Sequence, residues 1–138
     1  MGKGPAEKYY KQKITKEGLE HLFLFTGHLD QNKLPPLYSA ADVYMFPSTF
    51  DTQGLVAEEA MACGAPIIGV KDSAVEEVID SGKNGYLFNN NQKSFTDALI
   101  KAMKFKTPLR ASRKTAENYS KEKMAKKMLG LYEGMIRK

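Results

Sequence analysis

Asp51 and Glu59 stand eight positions apart in a stretch, residues 46–66, that reads Phe-Pro-Ser-Thr-Phe-Asp-Thr-Gln-Gly-Leu-Val-Ala-Glu-Glu-Ala-Met-Ala-Cys-Gly-Ala-Pro. The pattern is a strand, a polar loop, a helix and a glycine stop ahead of the next strand. A helix that starts near Gly54 offers unpaired backbone N–H donors and roughly half a positive charge at its first turn. It carries Glu59 about five residues, or roughly 7.5 Å of rise, further along. Two carboxylates at different depths of one crevice suit an elongated, polyhydroxylated ligand, because each can accept from neighbouring hydroxyls while the helix start between them faces a phosphate. Gly54 is expected to keep the approach to that helix start clear. Taken singly, Asp51 equally suits a helix cap, and Glu59, beside Glu58, a solvated helix acid.

The elements that must position these groups alternate along the chain. Short apolar runs at 22–26 (Leu-Phe-Leu-Phe-Thr), 43–47 (Val-Tyr-Met-Phe-Pro), 66–70 (Pro-Ile-Ile-Gly-Val) and 86–88 (Tyr-Leu-Phe) read as strands. The first three are apolar on both faces, as strands covered by helices on each side should be. Helices are expected at 5–17, closed by Gly18, at 35–41, opened by Pro35 and Pro36, at 54–63, closed by Gly64, and over a shorter span at 74–80. The Asn89-Asn90-Asn91 run is a loop, followed by helices at 92–105, 108–118 and 120–136. This order predicts an α/β fold, a Rossmann-like parallel sheet with helices on both faces and one core. At its start, Gly2-Lys3-Gly4-Pro5 looks like the glycine turn that follows a strand, although almost no strand precedes it, so the chain reads as beginning in mid-domain.

Composition narrows the function classes. At 138 residues with 42% apolar and 27% charged residues, the chain is an ordinary globular one. No apolar run approaches a membrane span and the first residues carry no signal-peptide pattern, so a cytoplasmic protein is expected. The single Cys63 and the scattered His21 and His28 offer no metal-ligand spacing, and neither a metal nor a cofactor is expected. Residues 1–100 hold 9 Lys and Arg against 13 acids, whereas residues 101–138 hold 12 against 3, so the C-terminal helices form a basic segment. Such a segment can meet an anionic membrane surface. It lacks the interleaved aromatics of single-strand nucleic-acid binders, and no nucleic-acid partner is expected.

The string from Asp51 through Glu59-Ala60-Met61-Ala62-Cys63-Gly64-Ala65-Pro66 resembles glycosyltransferase family 4, retaining enzymes of GT-B fold whose donor-binding domain carries an acid, seven residues, then Glu-Ala-Met-Ala-x-Gly-x-Pro. Further matches lie in order on both sides, at Gly2-Lys3-Gly4-Pro5, Phe25-Thr26-Gly27, Leu37-Tyr38-Ser39-Ala40-Ala41-Asp42-Val43, Phe46-Pro47-Ser48 and Gly82-Lys83-Asn84-Gly85-Tyr86-Leu87. The resemblance implies that residues 1–138 are a partial nucleotide-sugar-binding domain, one half of a GT-B fold lacking its first strand and the N-terminal acceptor domain, and therefore inactive alone. It places Glu59 on the ribose hydroxyls of a nucleotide-diphosphate sugar and Asp51, as the catalytic acid, beside the hydroxyls of the transferred sugar. Gly54, Leu55 and Val56 would bring backbone N–H groups to the diphosphate and sugar, with Thr52 and Gln53 in the same loop. Leu29 would pack the base, and Gly4 belongs to the N-terminal glycine turn.

Two positions depart from the family pattern: Asp51 stands where a Glu is usual, and Glu58 where an apolar residue is usual. The Asp51-Thr52-Gln53-Gly54 variant is similar to glucosyltransferases that act on diacylglycerol, which implies UDP-glucose as donor and a lipid, or else a polysaccharide, as acceptor. The alternative from another class is a noncatalytic module that binds a partner or an anionic membrane through residues 101–138. A sugar-nucleotide epimerase shares the GT-B architecture without the acid-to-Glu59 string.

Overall fold

Three of the apolar runs pair side by side. In the structure, a computed structural model that describes residues 4–104 and 109–136, strands β1 (Tyr44–Phe46), β2 (Ile67–Val70) and β3 (Gly85–Phe88) form a parallel sheet in the order β1-β2-β3. Tyr44 aligns with Ile67 and Ile67 with Gly85, so Tyr44, Phe46, Ile67 and Gly69 share one face and Met45, Ile68, Val70 and Phe88 the other. Every residue of β2 is buried, as a central strand between two helical layers requires.

Helix α4 (Gln92–Lys104) covers the second face, where Ala98 and Ala102 close on Ile68, Val70 and Phe88, with Phe95 and Leu99 alongside. Residues 95, 98, 99 and 102 repeat at the helical spacing that makes one apolar stripe. Asn91 starts this helix by accepting the N–H of Ser94 at 2.9 Å, and Ser94 Oγ accepts the N–H of Asn89 at 2.9 Å. The asparagine run is thus a capping device. Helix α3 (Leu55–Ala62) packs on β1 and β2 and buries Ala57, Ala60 and Met61. It stops at Gly64, whose φ of +95° lets Gly64 N–H reach Met61 O at 2.8 Å and Ala65 N–H reach Ala60 O at 3.0 Å. Helix α5 (Leu109–Glu117) packs on α3, and helix α6 (Lys121–Ile136) buries none of its residues.

The helix expected at 74–80 is a single 3₁₀ turn, Glu76–Val78. Local side-chain bonds displace the helical ones: Ser73 Oγ donates to Val70 O at 2.5 Å and Glu76 Oε2 accepts the Asp72 N–H at 2.7 Å. The next turn is held by Asn84, only 2% exposed. Its Oδ1 accepts the Asp80 N–H at 2.8 Å, and its Nδ2 donates to Val78 O and to Thr115 Oγ1 of α5, each at 2.9 Å.

The chain divides into two compact units, Met1–Leu34 and Pro35–Lys138, and among the described residues every buried one lies in the second. The first unit holds α1 (Glu7–Lys16), closed at Gly18 as expected, and 3₁₀ turns at Glu20–Leu22 and Gln31–Lys33. Helix α2 (Leu34–Ala40) begins at the boundary. The strand expected at 22–26 does not form. Phe23 is extended, but a strand exists through its ladder partner, and among the described residues this segment has none, leaving Leu24 85% exposed. Gly2 and Lys3 of the N-terminal glycine turn, and residues 105 and 108 at the expected helix ends, lie outside the described residues. Among the described residues, no helix is long and apolar enough to cross a membrane.

Candidate functional site

The loop that leaves the carboxyl end of β1 folds on its own polar side chains. Ser48 Oγ accepts the Phe50 N–H at 3.4 Å, and Asp51 Oδ1 accepts the N–H groups of Gln53 at 3.0 Å and Gly54 at 2.7 Å. These bonds close a turn within the loop and reach no N–H of α3 itself, whose N-cap is Gly54 and which has no side-chain cap, so the capping role open to Asp51 from sequence is not realised. These bonds favour the charged carboxylate, and the N–H of Gly54 first, then that of Gln53, holds Asp51 below the usual carboxylate range. Both bonds fall on Oδ1, and the side chain is exposed. Thr52 and Gln53 are exposed in the same loop.

Gly54 begins α3 in the left-handed region, with φ +69°, a conformation that L side chains seldom adopt. It is required on a second ground as well. A Cβ there would stand 2.7 Å from Val75 Cγ1, so the glycine lets the loop press onto the 71–79 segment. This corrects the expectation that it clears the approach to a ligand: the missing side chain makes room for the protein's own Val75. The carbonyl of Gly54 accepts from Ala57 N at 2.8 Å and Glu58 N at 3.3 Å, whereas the N–H groups of Leu55 and Val56, first in the helix, meet no acceptor among the described residues. Both side chains are exposed. An anion at this turn would find two backbone donors and the positive end of the helix.

Glu59, half-buried one turn further along α3, accepts a bond on Oε2 from the Tyr38 hydroxyl at 3.4 Å. Tyr38 lies on α2 and packs edge to face on Tyr44 of β1, with ring centroids 5.5 Å apart and planes at 79°. Burial first, then the charges of Tyr44 and Glu59, push the Tyr38 hydroxyl up to about 12. Tyr44 is also raised, by burial and then by the negative charge of Glu59 and of Asp51. Both carboxylates thus act on one tyrosine. Neither adjoining hollow, however, holds both acids. One of about 430 Å³ between α3 and α5 is lined by Leu55, Glu58, Glu59 and Arg113, and one of about 650 Å³ by Met45, Pro47, Phe88 and Phe95 on the α4 side. Glu58, half-buried beside the first hollow, is raised by burial.

Of the other residues singled out by sequence, Leu29 is half-buried and Gly4 exposed, and both belong to the Met1–Leu34 unit. Gly4 accepts the Glu7 N–H on its carbonyl at 3.1 Å, at the start of α1. Two residues went unrecognised, Tyr38 and Tyr44. Their signal is a phenol in a segment whose neighbours are otherwise apolar, Val43-Tyr44-Met45-Phe46, where a buried hydroxyl needs a polar partner. Among the described residues, no group of three His, Cys, Asp or Glu side chains is placed to hold a metal ion.

The profile of the glycosyl transferases group 1 family matches residues 1–123. A sulfoquinovosyl transferase of Arabidopsis thaliana is 39% identical over 82 residues, 54% of this chain and 16% of its own length. Alpha-monoglucosyldiacylglycerol synthase of Acholeplasma laidlawii is 31% identical over 142 aligned residues, 100% of this chain and 35% of its own. Among solved structures, sucrose-phosphate synthase from Thermosynechococcus elongatus superposes with a TM-score of 0.81 at 25% identity, over 99% of this chain and 37% of that one. Anabaena HepE, solved in complex with UDP-glucose, gives 0.66 at 27% identity over 80% of this chain and 32% of that one. The chain thus spans between 16% and 37% of the length of these similar proteins. With a three-stranded parallel α/β sheet and the Asp51-to-Pro66 string set on the loop after its first strand and on helix α3, the chain belongs to the glycosyl transferases group 1 family.

Proposed function

We propose that this chain is the donor-binding part of a retaining glycosyltransferase that takes a nucleoside diphosphate sugar, UDP-glucose, and passes the sugar to a membrane lipid or a polysaccharide. The observation that carries the reading is the open first turn of α3, where the N–H groups of Leu55 and Val56 meet no acceptor among the described residues and stand in the chain between Asp51 and Glu59. The bond from the anomeric carbon to the diphosphate oxygen breaks as one forms from that carbon to the acceptor's hydroxyl oxygen, whose proton leaves with the diphosphate, and negative charge collects on the departing diphosphate. The first turn of α3 is preorganised to stabilise that charge. Asp51 sits beside the sugar, where its negative charge favours the positive carbon, and Glu59 accepts from the ribose hydroxyls. Thr52 and Gln53 flank the sugar, Leu29 packs the base and Gly4 belongs to the turn near the phosphates. No metal or cofactor enters this scheme.

Two similarities support it: HepE was solved with UDP-glucose, and alpha-monoglucosyldiacylglycerol synthase aligns along the whole chain. Transfer itself is assigned to this part together with an acceptor-binding domain. Calorimetric titration of UDP, UDP-glucose and GDP into the chain tests the donor reading. UDP and UDP-glucose are expected to bind more tightly than GDP, and Glu59→Ala to weaken UDP about tenfold, the worth of a hydrogen bond to a charged group. A chain that takes no nucleotide, or an unchanged UDP affinity in Glu59→Ala, refutes it.

A second reading, a surface that docks on an anionic membrane, is favoured by α6. Its Met124, Met128, Leu131 and Met135 follow one another on one face and are exposed, while Lys123 and Lys127 flank that face and Lys126 lies opposite.

A further inference from the structure

Tyr38 is 4% exposed, and its hydroxyl reaches across 21 residues of sequence to donate to Glu59 Oε2. A phenylalanine would fill the same volume and make the same edge-to-face contact with Tyr44, so packing alone gives no reason for the hydroxyl. Nor is the bond a tight clamp. At 3.4 Å it is long for an O–H···O contact, for which about 2.7–2.8 Å is usual, so it restrains the carboxylate while leaving it able to accept elsewhere. Glu59 Oε1 accepts nothing from the protein among the described residues. The phenol, pushed up to about 12, keeps its proton and remains a donor at neutral pH.

We propose that Tyr38, backed by the Tyr44 ring, is a positioning residue that turns Glu59 so that Oε1 faces the ribose hydroxyls of the nucleotide, and so sets the preference for a ribonucleotide over a deoxyribonucleotide. This rests on the donor reading above. A carboxylate on a flexible side chain loses rotamer freedom when it binds, and a neighbour that fixes the rotamer beforehand reduces that cost. The hydroxyl thereby acts on the ribose through Glu59 without touching the ligand.

The test titrates UDP and 2′-deoxy-UDP into four forms of the chain: wild type, Tyr38→Phe, Glu59→Ala and the double variant. Wild type is expected to prefer UDP about tenfold. Tyr38→Phe should weaken UDP severalfold, leave 2′-deoxy-UDP within a factor of two, and have no further effect in the Glu59→Ala background. Equal weakening of both nucleotides by Tyr38→Phe, or an additive double variant, would mean a merely structural residue and overturn the proposal. If UDP binds with full ribose preference in Tyr38→Phe, the proposal fails while the donor reading stands. If wild type binds neither nucleotide, the donor reading fails and this inference with it.

Discussion

Asp51 commits one carboxylate oxygen to two backbone N–H groups of its own loop, and this local bonding is what depresses its proton affinity. The consequence for stability has a definite sign. A carboxyl that is more acidic in the folded chain than in the unfolded one stabilises the fold above the unfolded value, and the contribution is lost as pH falls through the folded value. An asparagine in place of Asp51 would retain an oxygen to accept from Gln53 and Gly54 but could not titrate. In circular-dichroism acid titrations, Asp51→Asn should therefore show a shallower loss of structure below about pH 4 than wild type, near the ordinary aspartate range. Unchanged acid dependence would mean that the loop bonds seen around Asp51 do not persist in solution. The same variant separates two roles, since a loop kept intact while the charge is gone isolates what that charge contributes to the sugar transfer proposed above.

Elements bounded by their own residues were legible in the sequence; elements that depend on distant partners were not. Helix α3 begins at Gly54 and ends at Gly64 because each glycine adopts a left-handed φ that a short window of sequence marks. The run at 22–26 has the same apolar character as β2 but no strand beside it among the described residues, and pairing is a non-local property that apolar character cannot supply. The candidate site divides in the same way. Asp51 and Glu59 follow from spacing along one loop and helix, whereas Tyr38 meets Glu59 only because α2 and α3 are brought together by the fold. Asn84 is a like case: within a glycine-rich turn it reads as a turn residue, yet it ties that turn to α5. Asn84→Ala leaves the Asp80 N–H, the Val78 carbonyl and Thr115 Oγ1 without this partner, and should cost about 3 kcal/mol given the penalty for unpaired buried polar groups. Urea unfolding followed by circular dichroism measures it; a loss below about 1 kcal/mol would show that water replaces the amide.

The charge of the whole molecule is divided, with 9 Lys and Arg against 13 acids in residues 1–100 and 12 against 3 in residues 101–138. Helix α6 lies in the basic part and buries none of its residues, whereas a packed apolar face is what usually maintains a helix of its length. It also carries Gly130 and Gly134, each of which costs about 1 kcal/mol relative to alanine in a helix interior. A helix weak in itself, with Leu131, Met135 and Ile136 exposed, gains stability from any surface that covers that face. An anionic bilayer offers both halves of the complement, an apolar interior for the methionines and leucines and headgroup charge for the flanking Lys123 and Lys127. In vesicle co-sedimentation, the chain should pellet with phosphatidylglycerol-containing vesicles at low salt and be released at high salt. Reversing Lys123 and Lys127 to glutamate should weaken recruitment about a thousandfold, at about 1 kcal/mol for each charge lost near the surface and as much again for each one reversed. Met128→Asp with Leu131→Asp should release the chain at low salt too. If wild type ignores anionic vesicles, the exposed face of α6 must be covered by protein, and the membrane reading falls while the assignment of Asp51 and Glu59 is untouched.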